Sequence, residues 1–242
     1  MNTNQYSGLS LFPPSIPLQL PEFSTLIVSG LHHPSAPIHL ALSLREHQNR
    51  RSVIFIPDFK PFKDSLHQFK DSWLLSQSGQ GKMSGMAVEI DVVSAPSPSH
   101  LSMLLVTALS TTTTAEQALE SSIIEDRWDT FILIDPSSYF LKAVDCQAPY
   151  LSLLHRVFAC LSKRRLSCEG LPPKMVLFDS SLKNPNDYNL PEALPSLRLV
   201  EKLFDLSVSI TQDSLAMIVP SSQGEELDQE EDSIKELRFS TI

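Results

Sequence analysis

Cysteine is scarce: Cys146, Cys160 and Cys168 are the only three in 242 residues. The count is odd and no two form C-x-x-C, so no disulfide framework is indicated, and reducing, intracellular conditions are expected. No apolar run approaches the ~20 residues of a bilayer-spanning helix. The N-terminus has no basic segment followed by an apolar one. A soluble protein with no membrane contact is expected. Positive charge is also short, with 19 Lys and Arg against 28 Asp and Glu and a net charge of −9. That argues against a strongly basic nucleic-acid binder but allows a local basic patch. Much of the excess lies between Ser221 and Ile242, where acids outnumber bases by five, as in a solvating or partner-binding tail. There is no G-x-S-x-G elbow, and no cysteine carries a nucleophile signature. His32, His33 and His39 have no cysteine or paired carboxylate at ligand spacing, so no metal is expected.

What is present is alternation. Short apolar runs read as strands at Thr25–Gly30, Ser52–Ile56, Val88–Val93, Thr130–Asp135 and Lys174–Asp179. Between them fall helical patterns at Ile38–Leu44, Lys60–Leu75, His100–Leu109 (with Ser99 as N-cap), Ala115–Asp126 and Tyr150–Leu161, and the Ser/Thr run Ser110–Thr114 reads as a loop or frayed helix end. A short helix at Leu197–Phe204 follows, then a hairpin of Leu206–Ile210 and Leu215–Val219 about Gln212-Asp213. An edge strand is expected from Leu237. The order predicts one α/β domain with a mostly parallel sheet, helices on both faces and right-handed crossovers. Residues 1–22, rich in proline, read as an extended arm, and 221–242 as the acidic tail. Ser76–Gly85 reads as a surface loop, its Gly79-Gln80-Gly81-Lys82 resembling a phosphate loop only superficially.

The organising stretch is Thr25–Leu44: strand, loop opened by Gly30, helix. It is the frame of G-x-x-x-x-G-K-[ST]. Laid on Gly30, that pattern puts Ser35 at the second glycine, Ala36 at the lysine and Pro37 at the hydroxyl. A triphosphate needs the lysine's charge and the hydroxyl's bond to magnesium. A methyl group and a pyrrolidine ring supply neither, and Pro37 lacks an N–H. The later strand Phe131–Asp135 ends in an acid where a second nucleotide motif would hold magnesium. Without partners in the loop, Asp135 reads instead as strand terminator and cap of the next turn.

The order of the Gly30 loop, the Asp135-ended strand, the Asp179-ended strand with its long following loop, and the closing hairpin resembles the RecA-like ATPase core. Ile90–Pro96 before a helix is similar to the small recombinase paralogues of the Shu-complex type that accompany SWIM-domain proteins. The resemblance implies a 23–220 RecA-like domain without nucleotide hydrolysis or cofactor. It implies a nuclear hetero-oligomer, with a RecA-like or SWIM-domain partner, promoting homologous recombination on single-stranded DNA. It places Lys163, Arg164, Arg165 and Lys183 as candidate DNA contacts, since loops after the fourth and fifth strands face DNA in RecA-like proteins. From the residues alone, the first three equally suit a solvated helix end. Nearby aromatics are scarce, Tyr188 being the one in the long loop. Two further readings are an Elongator-type ring subunit in tRNA wobble-uridine modification, cytoplasmic, and an active NTPase using Asp135 and Asp179. Phe140-Leu141-Lys142-Ala143 spells the F-x-x-A of recombinase tethers, in a segment expected to be folded. The first and fourth predicted strands are expected to be neighbours.

Overall fold

The computed structural model describes residues 8–109, 128–141, 146–167, 172–182, 195–211, 214–218 and 234–238. The Ser110–Thr114 run, the helix expected at 115–126, Cys168, Lys183, Tyr188, the Gln212-Asp213 turn and most of the acidic tail lie outside them.

Six parallel strands form the centre: β1 (Thr25–Gly30), β2 (Ser52–Ile56), β3 (Ile90–Ser94), β4 (Thr130–Ile134), β5 (Lys174–Asp179) and β6 (Leu206–Ile210). The sheet order is β3-β2-β4-β5-β1-β6-β7-β8, in which β7 (Ser214–Ile218) and β8 (Ile234–Arg238) pair antiparallel beyond β6. Every residue of β2, β4 and β5 is buried. That is why these strands read as continuous apolar runs rather than alternations. The expectation that the first and fourth strands touch is wrong, because β5 lies between them and the two edges of β1 belong to β5 and β6. β4 therefore lies two strand spacings, ~10 Å, from β1, although Asp135 at its end still acts electrostatically on His32 of the Gly30 loop.

Two cores lie on opposite faces. One holds Leu26 and Val28 with Leu40, Ala41 and Leu44 of α1 (Ala36–Gln48). The other holds Ile27, Phe131 and Leu177 with α5 (Pro98–Leu109), α6 (Gln147–Ser167) and α7 (Leu197–Glu201). Each fully buried Leu, Ile or Phe contributes about 1.5–3 kcal/mol.

From residue 8 on, the N-terminal arm is docked on the fold. Leu9, Leu11 and Leu20 are completely buried on the α1 face, and Leu9 bridges Leu20. Lys174, buried at the start of β5, donates to the Glu22 carboxylate and the Phe23 carbonyl. The leucines between the prolines are what an arm on solvent would not need. They cover a sheet face that α1 alone leaves open. The tail is corrected in part as well, since residues 234–238 within it form β8.

The helix expected over Lys60–Leu75 is two: α2 (Phe59–Phe69) and α3 (Ser72–Gln77). Lys70 takes a left-handed conformation between them and Asp71 caps the second. The 76–85 loop is interrupted by α4 (Gly81–Ala87). For α5, Ser97 rather than Ser99 accepts the capping bond, from the N–H of His100 at 3.2 Å. No helix among the described residues is long and apolar enough to cross a membrane.

Candidate functional site

The chain passes to α1 on one face after β1, and to α5, α6 and α7 on the other face after β3, β4 and β5. The carboxyl end of β1 is thus a point where connections part, the place where open α/β sheets bind ligands. The Gly30 loop occupies it. Gly30 has φ +85, and a β-carbon there would sit 2.2 Å from the Ile210 carbonyl oxygen. Close packing against β6, not a phosphate, accounts for this glycine.

The loop's amide groups point back into the protein. Leu31 N–H donates to the Ile210 carbonyl at 2.8 Å, His32 N–H to Gly30 at 2.9 Å, and Ala36 N–H to His33 at 3.0 Å. A phosphate cradle needs such groups converging on one point. Ser35, Ala36 and Pro37 are all buried, and Ala36 belongs to the core. Sequence reading missed what closes the loop. Ser35 donates to Asp71 at 2.6 Å, and His39 Nε2 lies 2.7 Å from the same oxygen. His33 Nδ1 lies 2.9 Å from Ser35 Oγ, and its ring stacks on Phe69 and leans on Phe12. Burial pushes the His33 ring down to about 4, with His39 adding to the effect, so it is neutral at pH 7.

Burial works to raise Asp71, but the Ser35 hydroxyl, the Leu74 N–H and His39 outweigh it and hold the carboxyl at about 2. An ionised carboxylate therefore faces the loop where a triphosphate would bring more negative charge. One signal in the sequence marked it: Asp71-Ser72-Trp73 after Lys70 is a helix start, hidden inside an apolar spacing that continues across the break. Asp71→Asn is expected to cost about 1–2 kcal/mol at pH 7, allowing for solvent screening. Because the folded value lies below the unfolded one, this contribution is present above pH ~4 and is lost as pH falls through 2. Urea unfolding of both proteins from pH 7 to 2 tests it. Equal acid sensitivity would acquit Asp71.

At the ends of β4 and β5 the two expected acids differ. Asp135 takes a left-handed conformation (φ 44) and does begin the next turn, Pro136–Tyr139. Its side chain, however, caps nothing there: it accepts the Ser180 N–H and hydroxyl, both at 2.9 Å. Asp179 is fully buried and accepts four bonds, from Ser137 N–H (3.1 Å) and Oγ (2.6 Å), Tyr150 OH (2.9 Å) and Ser181 N–H (3.1 Å). Burial and then Asp135 raise Asp179 to about 6, against the lowering effect of its donors. Asp179 ties β5 to the turn and to α6.

Among the candidate DNA contacts, Lys163 and Arg165 are exposed near the end of α6, which runs six residues beyond its predicted end. The Arg164 side chain and Lys183 lie outside what is described. Phe140 of the F-x-x-A spelling packs edge-on against Tyr139 and Tyr150, while Lys142 and Ala143 lie outside. No three metal-ligating side chains cluster among the described residues.

Fold and site together define a mostly parallel α/β domain in which the loop at the β1 end is closed by Phe69 and Asp71 from the α2–α3 junction. No protein-family model matches the chain, and no curated protein does. Among solved structures, the crystal structure of the KaiC-like protein PH0186 from Pyrococcus horikoshii OT3 is similar, with a TM-score of 0.49 and 10% identity over 98% of this chain and 94% of that one.

Proposed function

We propose that this chain is a non-catalytic, RecA-like subunit of a nuclear hetero-oligomeric complex that promotes homologous recombination and DNA repair by assisting recombinase filaments. The observation that carries the non-catalytic part is Asp71: ionised and bonded to Ser35 and His39, it sets a negative charge against the loop in which the pattern has a lysine's positive one. Support for the RecA-like part comes from the six parallel strands, with the Gly30 loop and two acid-ended strands at one carboxyl edge and antiparallel strands beyond β6. The role in recombination follows from the likeness of motif order to the Shu-type paralogues. A subunit with no nucleotide at its interfaces forgoes that source of stabilisation, so a RecA-like or SWIM-domain partner supplies it.

Titration calorimetry with ATP and magnesium is expected to show no saturable heat up to millimolar nucleotide. Single-stranded DNA is expected to bind only the complex purified with its partner. Tight, magnesium-dependent ATP binding by the chain alone would defeat the non-catalytic reading. A copurifying hexamer carrying tRNA would replace the recombination role with the Elongator-type one.

A further inference from the structure

We propose that α2, α3 and α4 form a lid that opens as one unit from an otherwise intact fold and uncovers the Gly30 loop, with Asp71 as its latch. Such a lid neither requires nor excludes the recombination role, and it is tested without nucleotide, nucleic acid or partner. Between Pro57 and Glu89 no residue is buried, whereas every residue of β2, the strand that leads into this stretch, is. Apolar side chains are present at helical spacing, yet much of their surface stays in water: Phe59 is 51% exposed, Phe69 45% and Leu75 63%. Helices in proteins hold chiefly by burying an apolar face. α3 and α4, six and seven residues long, are too short to hold by propensity alone. Gly81 and Gly85 weaken α4 further, because each costs helix stability relative to alanine. No neighbour requires them: an added β-carbon would meet nothing within 4 Å at either position.

The ties to the rest of the protein are few, and they converge. Among the described residues, no backbone hydrogen bond runs from 59–88 to another part of the chain. Phe62 packs, partly buried, against the α1-side core. Lys82 pairs with Glu46 at 2.6 Å on the surface, an arrangement that contributes little. The remaining ties all reach the Gly30 loop and the first turn of α1. Phe69 stacks on His33, Trp73 leans on His39, and one oxygen of Asp71 takes both the Ser35 hydroxyl and His39 Nε2. Lys70, between Phe69 and Asp71, holds a left-handed conformation at φ 50, one that disfavours a residue with a β-carbon and that its two seated neighbours maintain. A region with few buried apolar contacts opens locally at a free energy below that of global unfolding. The chain leaves the sheet at Pro57 and returns at Glu89, whose carbonyl accepts the Ser52 N–H at 3.2 Å. The lid can therefore swing away without breaking the pairing of β2 with β3. His33, Ser35 and His39 are what it uncovers.

The test is amide hydrogen exchange on the intact chain at pH 7, read by mass spectrometry. Relative to unfolded-chain rates, amides of 59–87 are expected to exchange at least about 100-fold faster than those of β2, β4 and β5. Gly85→Ala, which adds a methyl group in open space, should slow α2 and α4 alike by about two- to fivefold. Asp71→Asn should speed exchange in all three helices by about five- to thirtyfold. Ile27→Val, which thins the core on the opposite face, should speed the strands and leave the lid as it was. Lid amides as slow as the strands would overturn the proposal. Slowing of α4 without α2 in Gly85→Ala would do the same, because the helices would then fray separately. So would unchanged exchange in Asp71→Asn, or a lid that follows the strands in Ile27→Val.

Discussion

Gly30→Ala is expected to lower the melting temperature by ~10 °C or more, or to prevent folding. The left-handed conformation at φ +85 costs a residue with a β-carbon about 1–2 kcal/mol. The larger part is steric. The added carbon would meet the Ile210 carbonyl oxygen at 2.2 Å, and that atom is backbone in a paired strand. Relief requires β6 to move away from β1, weakening a five-residue parallel register and the bond from Leu31 N–H to the same oxygen. Together these come to about 4 kcal/mol or more, in the class of exceptional single substitutions, and a domain of this size shifts ~2–4 °C per kcal/mol. Gly79 supplies the control. It has φ +89 but nothing within 4 Å of an added carbon, so Gly79→Ala pays only the conformational cost. Calorimetric scans showing equal losses for the two would mean that the approach of β6 is not what requires Gly30.

Asp179→Ala is the second large effect, about 3–5 kcal/mol. Removing the carboxylate leaves the Ser137 N–H and hydroxyl, the Tyr150 hydroxyl and the Ser181 N–H without their acceptor in a buried site, and each unsatisfied group costs about 1–3 kcal/mol before relaxation. Asp179→Asn keeps an acceptor and is expected to cost less. It also isolates a pH effect. With a folded value of about 6, above the unfolded one, Asp179 holds its proton more tightly in the native state. Its contribution is complete below pH ~4 and is lost as pH rises through 6. Wild type should therefore gain about 1.4 kcal/mol relative to Asp179→Asn between pH 7.5 and 5. The difference between the proteins is the quantity to measure. His33, held down to about 4, works the other way, losing stability as pH falls from its unfolded value toward 4. A pH-independent difference in urea stability would show that the native carboxyl is not raised.

Much of the architecture was legible because β2, β4 and β5 are buried on both faces, so their apolar runs are uninterrupted. β5 and β6 match their predicted spans residue for residue. Errors gathered where the decisive contact is distant in sequence. The split of Lys60–Leu75 depends on Asp71 reaching Ser35 and His39, 36 and 32 residues back. The seating of Leu9 and Leu11 depends on a sheet face that forms only when six strands have assembled. The placing of β5 between β4 and β1 depends on crossover geometry, which local pattern does not encode.

For the candidate site the division is similar. Ala36 and Pro37 show, as residue types, that the lysine and the hydroxyl of the phosphate-loop pattern are not at those two positions, since side-chain chemistry is local. The plugging of the space by Asp71, His33 and Phe69 is a property of the folded chain alone. So are the insertion of β5 between β1 and β4 and the commitment of Asp179 to four donors. Composition and periodicity specify which surfaces must be buried; which buried groups then meet is settled by packing between elements that the sequence lists far apart.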